Sequence, residues 1–443
     1  MERSKRVAAY LQDVCAQVQW KQAHPAIARE LADHIEDERQ NFLAQGFPGE
    51  AAENQAIQAM GDALEVGRQF NAAYRPQRDW SVWIPFTVLL VFGFFARAYI
   101  RESFLDDYTP ALLVAFFGVC FVPMGWLPKR TWLMYGVFVA ALLGATWGVA
   151  PREFVRGYSQ YTGYILLFLP VVSALLIYRM RGRGILGVCF ICLAQAVIAL
   201  VASQSSIGNY VLVAFAGTCL LLYAIIRGWF ECNKAIAILI AAGPPVLLLT
   251  AIVVTHPHRF VQMLALVSPE IDPQGVGFVG TVAREILAKA NFIGPVEPAV
   301  LSEGVRSMVF GVGNSSFEND LMLAFLSAKL GKVVFLFAVL ALVAFVYFAL
   351  RICFKQHSML GRMLSLAVVL TFAAQGAGYI AGNMGAVLLL RYPMPFVGIG
   401  NAAMLCNLIL CGLLFSIFRT GVLLDDGVMQ IQPRWKLKLV REL

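Results

Sequence analysis

Beyond about residue 78 the chain alternates long apolar runs with short polar breaks, whereas before it apolar positions recur at helical spacing among charges. The apolar runs lie near 80–100, 110–127, 131–149, 161–178, 184–203, 208–228, 234–255, 320–350, 361–382 and 395–418. Each is close to the ~20 residues a helix needs to cross a bilayer. The expected fold class is therefore all-α, a polytopic membrane protein of about ten transmembrane helices over 79–420, with a small helical domain at 1–78 and a polar tail at 421–443. In the first domain, amphipathic helices are expected over Lys5–Lys21, Ala26–Gln45 and Pro48–Met60, and from Asp62, placed as a cap, to just before Pro76. One long polar interval, 256–318, separates the seventh and eighth runs. A loop of that length is usually functional.

Composition sharpens the class. The hydrophobic share is 59% and the charged share 14%, against about 45–50% and about 25% for soluble domains. Mean hydropathy is +0.70. The basic stretches at 128–130, 179–183, 227–234, 351–362 and 434–441 all fall on one side of the expected topology. Because basic loops stay cytoplasmic, both termini are expected inside and the 256–318 loop outside. A net charge of +8 then needs no nucleic-acid partner. Residues 1–78 lack the apolar stretch of a signal peptide. Nine scattered cysteines do not suggest a disulfide framework, and Cys189 and Cys192, in the middle of an apolar run, read as packing. The run His34–Glu38 reads as a solvated helix face rather than a metal site. No glycine-rich phosphate loop indicates ATP-driven transport. Gly243-Pro244-Pro245 interrupts one run, without the matched broken helices of an inverted-repeat transporter.

Ionisable residues at the edge of a membrane span are costly and call for a reason. Glu318, Asn319 and Asp320 stand where the long loop meets the eighth run, and Lys329 follows further in. Asp320 by itself supports two readings. It is a helix cap, stabilising by about 0.5–2 kcal/mol, or a partly desolvated carboxylate suited to general-base work. Arg152, Arg156, Arg259, Arg284 and Arg306 share its side of the membrane by topology. Arg97 and Arg101 read as interfacial anchors, and Trp80, Trp83, Trp126, Trp132 and Trp147 as belt residues.

Three phrases resemble the SEDS family (shape, elongation, division and sporulation). One runs from Arg259 to Asp272-Pro273-Gln274-Gly275-Val276-Gly277-Phe278. In the second, Asp320, Ala324, Leu330 and Gly331 match the family's aspartate segment without a gap. The third is Asn383 followed by Pro393-Met394-Pro395-Phe396-Val397-Gly398-Ile399-Gly400. Order, spacing and topology agree over roughly 80–420. The first domain, through Glu30–Ile35, Gly46-Phe47-Pro48 and Ala59–Asp62, resembles a cytoplasmic prefix domain of bacterial permeases, which implies regulation or docking.

The SEDS resemblance implies a peptidoglycan glycosyltransferase that polymerises lipid II at the outer leaflet of the bacterial cytoplasmic membrane, in division, elongation or sporulation. A class B penicillin-binding protein, a transpeptidase, is the implied partner beside membrane lipids. Asp320 is the implied general base and Arg259 the implied cation for the lipid pyrophosphate; Glu318, Asn383, Lys329 and Arg284, the last placed by topology alone, are the further candidate substrate contacts. No metal ligand set is implied; a divalent cation enters only as a companion of the pyrophosphate. Glu318-Asn319 stand where the family has His-Thr, Ala328-Lys329 where it has Glu-Glu, and Gly398-Ile399 where it has Ser-Tyr. These differences leave two alternatives open: a catalytically silent scaffold of wall synthesis, or a flippase for the lipid-linked precursor.

Overall fold

The computed structural model describes residues 4–74, 80–101, 109–148, 155–205, 207–255, 260–261, 264–265, 268–275, 277–311, 320–356, 358–386, 392–398 and 400–421. Contacts divide the chain into two units, Met1–Arg78 with Arg419–Asp425, and the remainder. The first unit holds α1 (Lys5–Ala16), α2 (His24–Ala44), α3 (Gly49–Met60) and α4 (Ala63–Tyr74). Ile27, Leu31 and Ile35, four residues apart on α2, pack with Tyr10, Leu11, Val14 and Ala56 into a core. The first helix stops at Ala16 rather than Lys21 because Val18 turns into this core, and the His24 ring nitrogen bonds to its carbonyl at 2.8 Å. Asp62 meets the Glu65 amide at 3.4 Å. Glu36 accepts twice from Arg39, at 2.8 and 2.7 Å. These bonds hold its carboxyl below the usual range and make an ion pair within one helix face.

The second unit begins with α5 (Trp80–Arg101), α6 (Thr109–Phe121), α7 (Thr131–Leu143), α8 (Val155–Leu166) and α9 (Leu169–Arg179). It continues through α10 (Gly184–Ser205), α11 (Ile207–Ile226) and α12 (Lys234–Thr255). Two short helices, α13 (Phe278–Lys289) and α14 (Glu303–Phe310), lie in the long interval. Then come α15 (Met322–Leu330), α16 (Lys332–Lys355), α17 (Met359–Asn383) and α18 (Asn401–Thr420). Among the described residues seven helices are long and apolar enough to span a membrane, or eight if the pair Thr109–Phe121 and Met124–Thr146, bent by 67°, is one span. The expected ten would count that pair twice and add α11, whose described apolar part is only Phe215–Ile226.

Three expectations are corrected. Gly243-Pro244-Pro245 does not interrupt its span: α12 runs through both prolines. Arg97 is no interfacial anchor, being 4% exposed and donating to Asn401 Oδ1. The eighth run is two helices: α15 ends at Leu330 and the spanning helix begins at Lys332.

The break at Gly331 has a clear cause. Its φ of +104° is open to glycine, and a Cβ there would come within 2.6 Å of the Phe292 carbonyl oxygen. The segment Asn291–Val296 runs past this point and supplies the missing partners. Val296 and Gly294 amides donate to the Ala328 and Leu330 carbonyls at 2.7 and 3.0 Å, satisfying the end of α15. Lys332 and Val333 amides donate to the Asn291 and Phe292 carbonyls at 2.9 and 3.1 Å, satisfying the start of α16. A helix broken at the edge of a span is tolerated where protein groups replace the lost ladder.

Candidate functional site

The site is built around the start of α15. That helix is nearly all apolar and buried, and its face packs with Val282, Ala283 and Ile286 of α13 and with Val305 and Val309 of α14 in one core. The described helices of the long interval thus form a folded lid whose core includes Ala324, Phe325 and Ala328. Asp320 stands two residues before α15, half-buried, while the next eight residues are buried.

Asp320 stands one residue ahead of the N-cap position of this helix. Leu321 occupies the N-cap position and makes no side-chain cap bond. The work of capping is done from α17. Asn383, wholly buried, accepts from the Ala324 amide at 3.0 Å through Oδ1. Its Nδ2 donates to the Asp320 and Tyr379 carbonyls, both at 3.0 Å. The Tyr379 hydroxyl faces the Met322 and Leu323 amides. One buried amide side chain therefore clamps the Asp320 backbone and closes the first turn of α15. Tyr164 and Tyr379 both lie within electrostatic reach of the Asp320 carboxylate.

Arg284 reaches the same region from α13. Its stem lies across Gly385, where a Cβ would come within 2.2 Å of Arg284 Cγ, two residues beyond Asn383. Its guanidinium is 3.8 Å from Glu270, a pair exposed enough to contribute little stability. The sequence phrase around Asp272 explains how α13 is aimed. Asp272 Oδ1 and O accept from the Gly275 amide at 3.0 and 3.3 Å, and O accepts from Gly277 at 2.9 Å. This tight turn delivers the chain into Phe278 and α13. Glu285, one residue after Arg284, fixes the other lid helix. It accepts from the Ser302 amide and hydroxyl at 2.6 and 2.9 Å and from Lys289 at 2.8 Å. Burial pushes the Glu285 carboxyl up, but these bonds outweigh it and hold the group below its ordinary range.

Of the sequence candidates, Asp320, Asn383 and Arg284 converge. Lys329 does not: it lies at the far end of α15, about 13 Å along the axis from Asp320, where the helix dipole favours a cation. Arg306 is exposed on α14. Arg259, Glu318, Asn319, Arg152 and the side chains of Arg156, Arg101 and Trp147 lie outside the described residues. Tyr379, Tyr164 and Gly385 were not singled out by sequence, although Tyr379 sits four residues before Asn383 on one helical face. Among the described residues no cluster of three or more His, Cys, Asp or Glu side chains is arranged to hold a metal. The nine cysteines are unbridged, and Cys192 Sγ contacts the Ile240 carbonyl at 3.5 Å.

The third phrase has a different environment. Phe396 is buried among Phe86, Phe345 and Phe372, with ring centroids 5.1–5.6 Å away. Gln375 donates to the Pro393 carbonyl at 2.8 Å. A Cβ on Gly93 would come within 2.0 Å of the Phe396 carbonyl oxygen, so α5 must present glycine there. Trp83, expected in the aromatic belt, instead stacks on Phe415 with centroids 3.9 Å apart.

A helical bundle with this broken eighth segment, folded lid and boundary carboxylate defines a multi-pass membrane protein. The chain belongs to the SEDS family: residues 167–421 match the FtsW/RodA/SpoVE cell cycle protein family. Over 166 residues it is 24% identical to a protein of Trichlorobacter lovleyi named "Probable peptidoglycan glycosyltransferase FtsW". That match covers 38% of this chain and 42% of the relative, so it spans less than half of the relative's length. The fold is similar to a chain of a peptidoglycan synthase complex that coordinates polymerisation and crosslinking. The TM-score is 0.57 at 15% identity, covering 77% of this chain and 98% of that one. A variant of the rod shape determining protein RodA of Thermus thermophilus aligns over 77% of this chain and 97% of its own, with 13% identity and a TM-score of 0.49.

Proposed function

We propose that this protein is a peptidoglycan glycosyltransferase acting on lipid II, with Asp320 as general base. The observation that carries this is the division of labour at α15. Asn383 and Tyr379 meet the helix amides, while the Asp320 carboxylate stands half-buried at the helix mouth. Desolvation favours the protonated form of a carboxylate and so strengthens it as a base. In the reaction Asp320 takes the proton of the acceptor sugar hydroxyl, and that oxygen bonds to the anomeric carbon of the donor. The bond from that carbon to the lipid pyrophosphate breaks, and the pyrophosphate leaves with the electron pair. Arg284, aimed along the same turn by Gly385, is the described cation suited to the leaving phosphates. Arg259 and Glu318 complete the proposed substrate contacts. Among the described residues no group of three or more His, Cys, Asp or Glu side chains is placed to hold a divalent cation.

Basic loops on the opposite side put Asp320 at the outer leaflet of the cytoplasmic membrane in this proposal, with both termini inside. The named activities of the FtsW relative and the synthase complex support polymerisation and a transpeptidase partner. The test is a gel assay of glycan products from labelled lipid II with purified protein, alone and beside a class B penicillin-binding protein. Asp320→Asn is expected to lower polymerisation by about 10²–10⁴-fold, the usual contribution of a positioned base. An Asn variant as active as the parent overturns the assignment. A parent protein with no activity in either condition favours the silent-scaffold reading, for which Ala328-Lys329 in place of the Glu-Glu pair is the motivating difference.

A further inference from the structure

The break between α15 and α16 also exposes a small apolar tip. Asn291 Nδ2 donates to the Pro295 carbonyl at 2.7 Å, closing a turn whose outermost residues are Phe292, 64% exposed, and Ile293, 74% exposed. Such large side chains on a closed turn, held outward by bonds behind them, need an apolar neighbour or remain in contact with water.

Their depth identifies that neighbour. Between Lys332 and Arg351, α16 is wholly apolar over Val333–Leu350. That stretch is about 27 Å long, close to the ~30 Å hydrocarbon core of a bilayer. Lys332 therefore marks one edge of the hydrocarbon. The turn is fastened at that edge, because the Lys332 and Val333 amides donate to the Asn291 and Phe292 carbonyls. Below it, Val333, Leu336, Phe337, Leu340, Val343 and Tyr347 form an exposed stripe at helical spacing down α16. Phe292 and Ile293 stand at the head of this lipid-facing stripe. Lys329 and Lys332 flank them, half-exposed and long enough to reach phosphate headgroups.

We infer that the Phe292-Ile293 tip is a membrane wedge, seated at the boundary between headgroups and acyl chains of phospholipid. The bilayer then holds the turn that stitches the two helices together. Through the Gly294 and Val296 amide bonds it also holds the end of α15, the helix that begins beside Asp320. This inference does not depend on the reaction the protein performs.

The experiment uses the full chain in phospholipid nanodiscs containing phosphatidylglycerol. The photoreactive residue p-benzoylphenylalanine replaces Phe292 in one variant and Ile293 in a second. A third variant carries it in place of Leu340, exposed in the middle of α16. After illumination, intact-mass analysis is expected to show the Phe292 and Ile293 variants gaining the mass of one phospholipid, as the Leu340 variant does. Lipid adducts at Leu340 with none at Phe292 or Ile293 overturn the wedge. Crosslinks from Phe292 or Ile293 to a second copy of the chain, in place of lipid, overturn it equally by naming a protein interface.

Discussion

The start of α15 and the Phe396 loop both carry phrases of the same family, and they solve opposite problems. Around Phe396 the requirements are those of packing: aromatic rings enclose the loop, Gly93 makes room for its carbonyl, and Gln375 satisfies the buried Pro393 carbonyl. Around Asp320 the requirement is to hold one backbone stretch rigidly while its side chain remains at a boundary. A family signature therefore marks two kinds of constraint. One is a packing lock; the other is a positioned charge.

The comparison breaks most visibly in activity. Asp320→Asn is expected to leave thermal stability near that of the parent while removing the proposed polymerisation, whereas an equal loss of both would place Asp320 with the packing residues. Phe396→Ala acts in the reverse sense. Truncating a fully buried aromatic costs about 3–5 kcal/mol, so a large fall in melting temperature in detergent is expected, with activity lost in proportion to folded protein. Asn383→Ala lies between the two. It removes three hydrogen bonds and leaves the Ala324 amide without its cap, a cost of about 1–3 kcal/mol for the orphaned buried group. Hydrogen exchange is expected to rise at the first turn of α15 and not at Phe396.

The smallest effect is one of pH. Glu285 has a depressed carboxyl pKa in the folded lid, so its bonds to Ser302 and Lys289 stabilise above the ordinary value of 4.5 and are lost as pH falls through the folded value. Acidification below about pH 4.5 is expected to lower the protection from hydrogen exchange at the start of α14 in the parent, measured relative to the intrinsic rate at each pH. In Glu285→Gln that protection is expected to be lower at neutral pH and to lose its acid dependence. An unchanged acid response in the variant assigns the transition to another group.

Much of this was legible in the chain. The lengths of the apolar runs follow from bilayer thickness, and most of them coincide with described helices. Asp320 and Asn383 could be picked because a charge or amide at a membrane boundary is expensive and because three phrases fell in family order; Arg284 was only one of several arginines placed on that side by topology. The Asp272 turn was also visible as a pattern, although its effect on the aim of α13 was not. Lys329 was grouped with Asp320 because it is near in sequence, and the helix between them separates their side chains.

By itself, then, the sequence determined an all-helical membrane protein, its family phrases and the edge on which the carboxylate stands. Hydrophobic periodicity and span length are local quantities, set by a residue and its near neighbours. Only the tertiary structure decided that the eighth run would break at Gly331. A span is interrupted only where its orphaned amides and carbonyls find partners, and here they come from residues 291–296, far back in the chain. It also decided that Asn383, from another helix, would meet the Ala324 amide in the first turn of α15. Both outcomes depend on polar groups meeting across the fold, which no periodicity along the chain encodes.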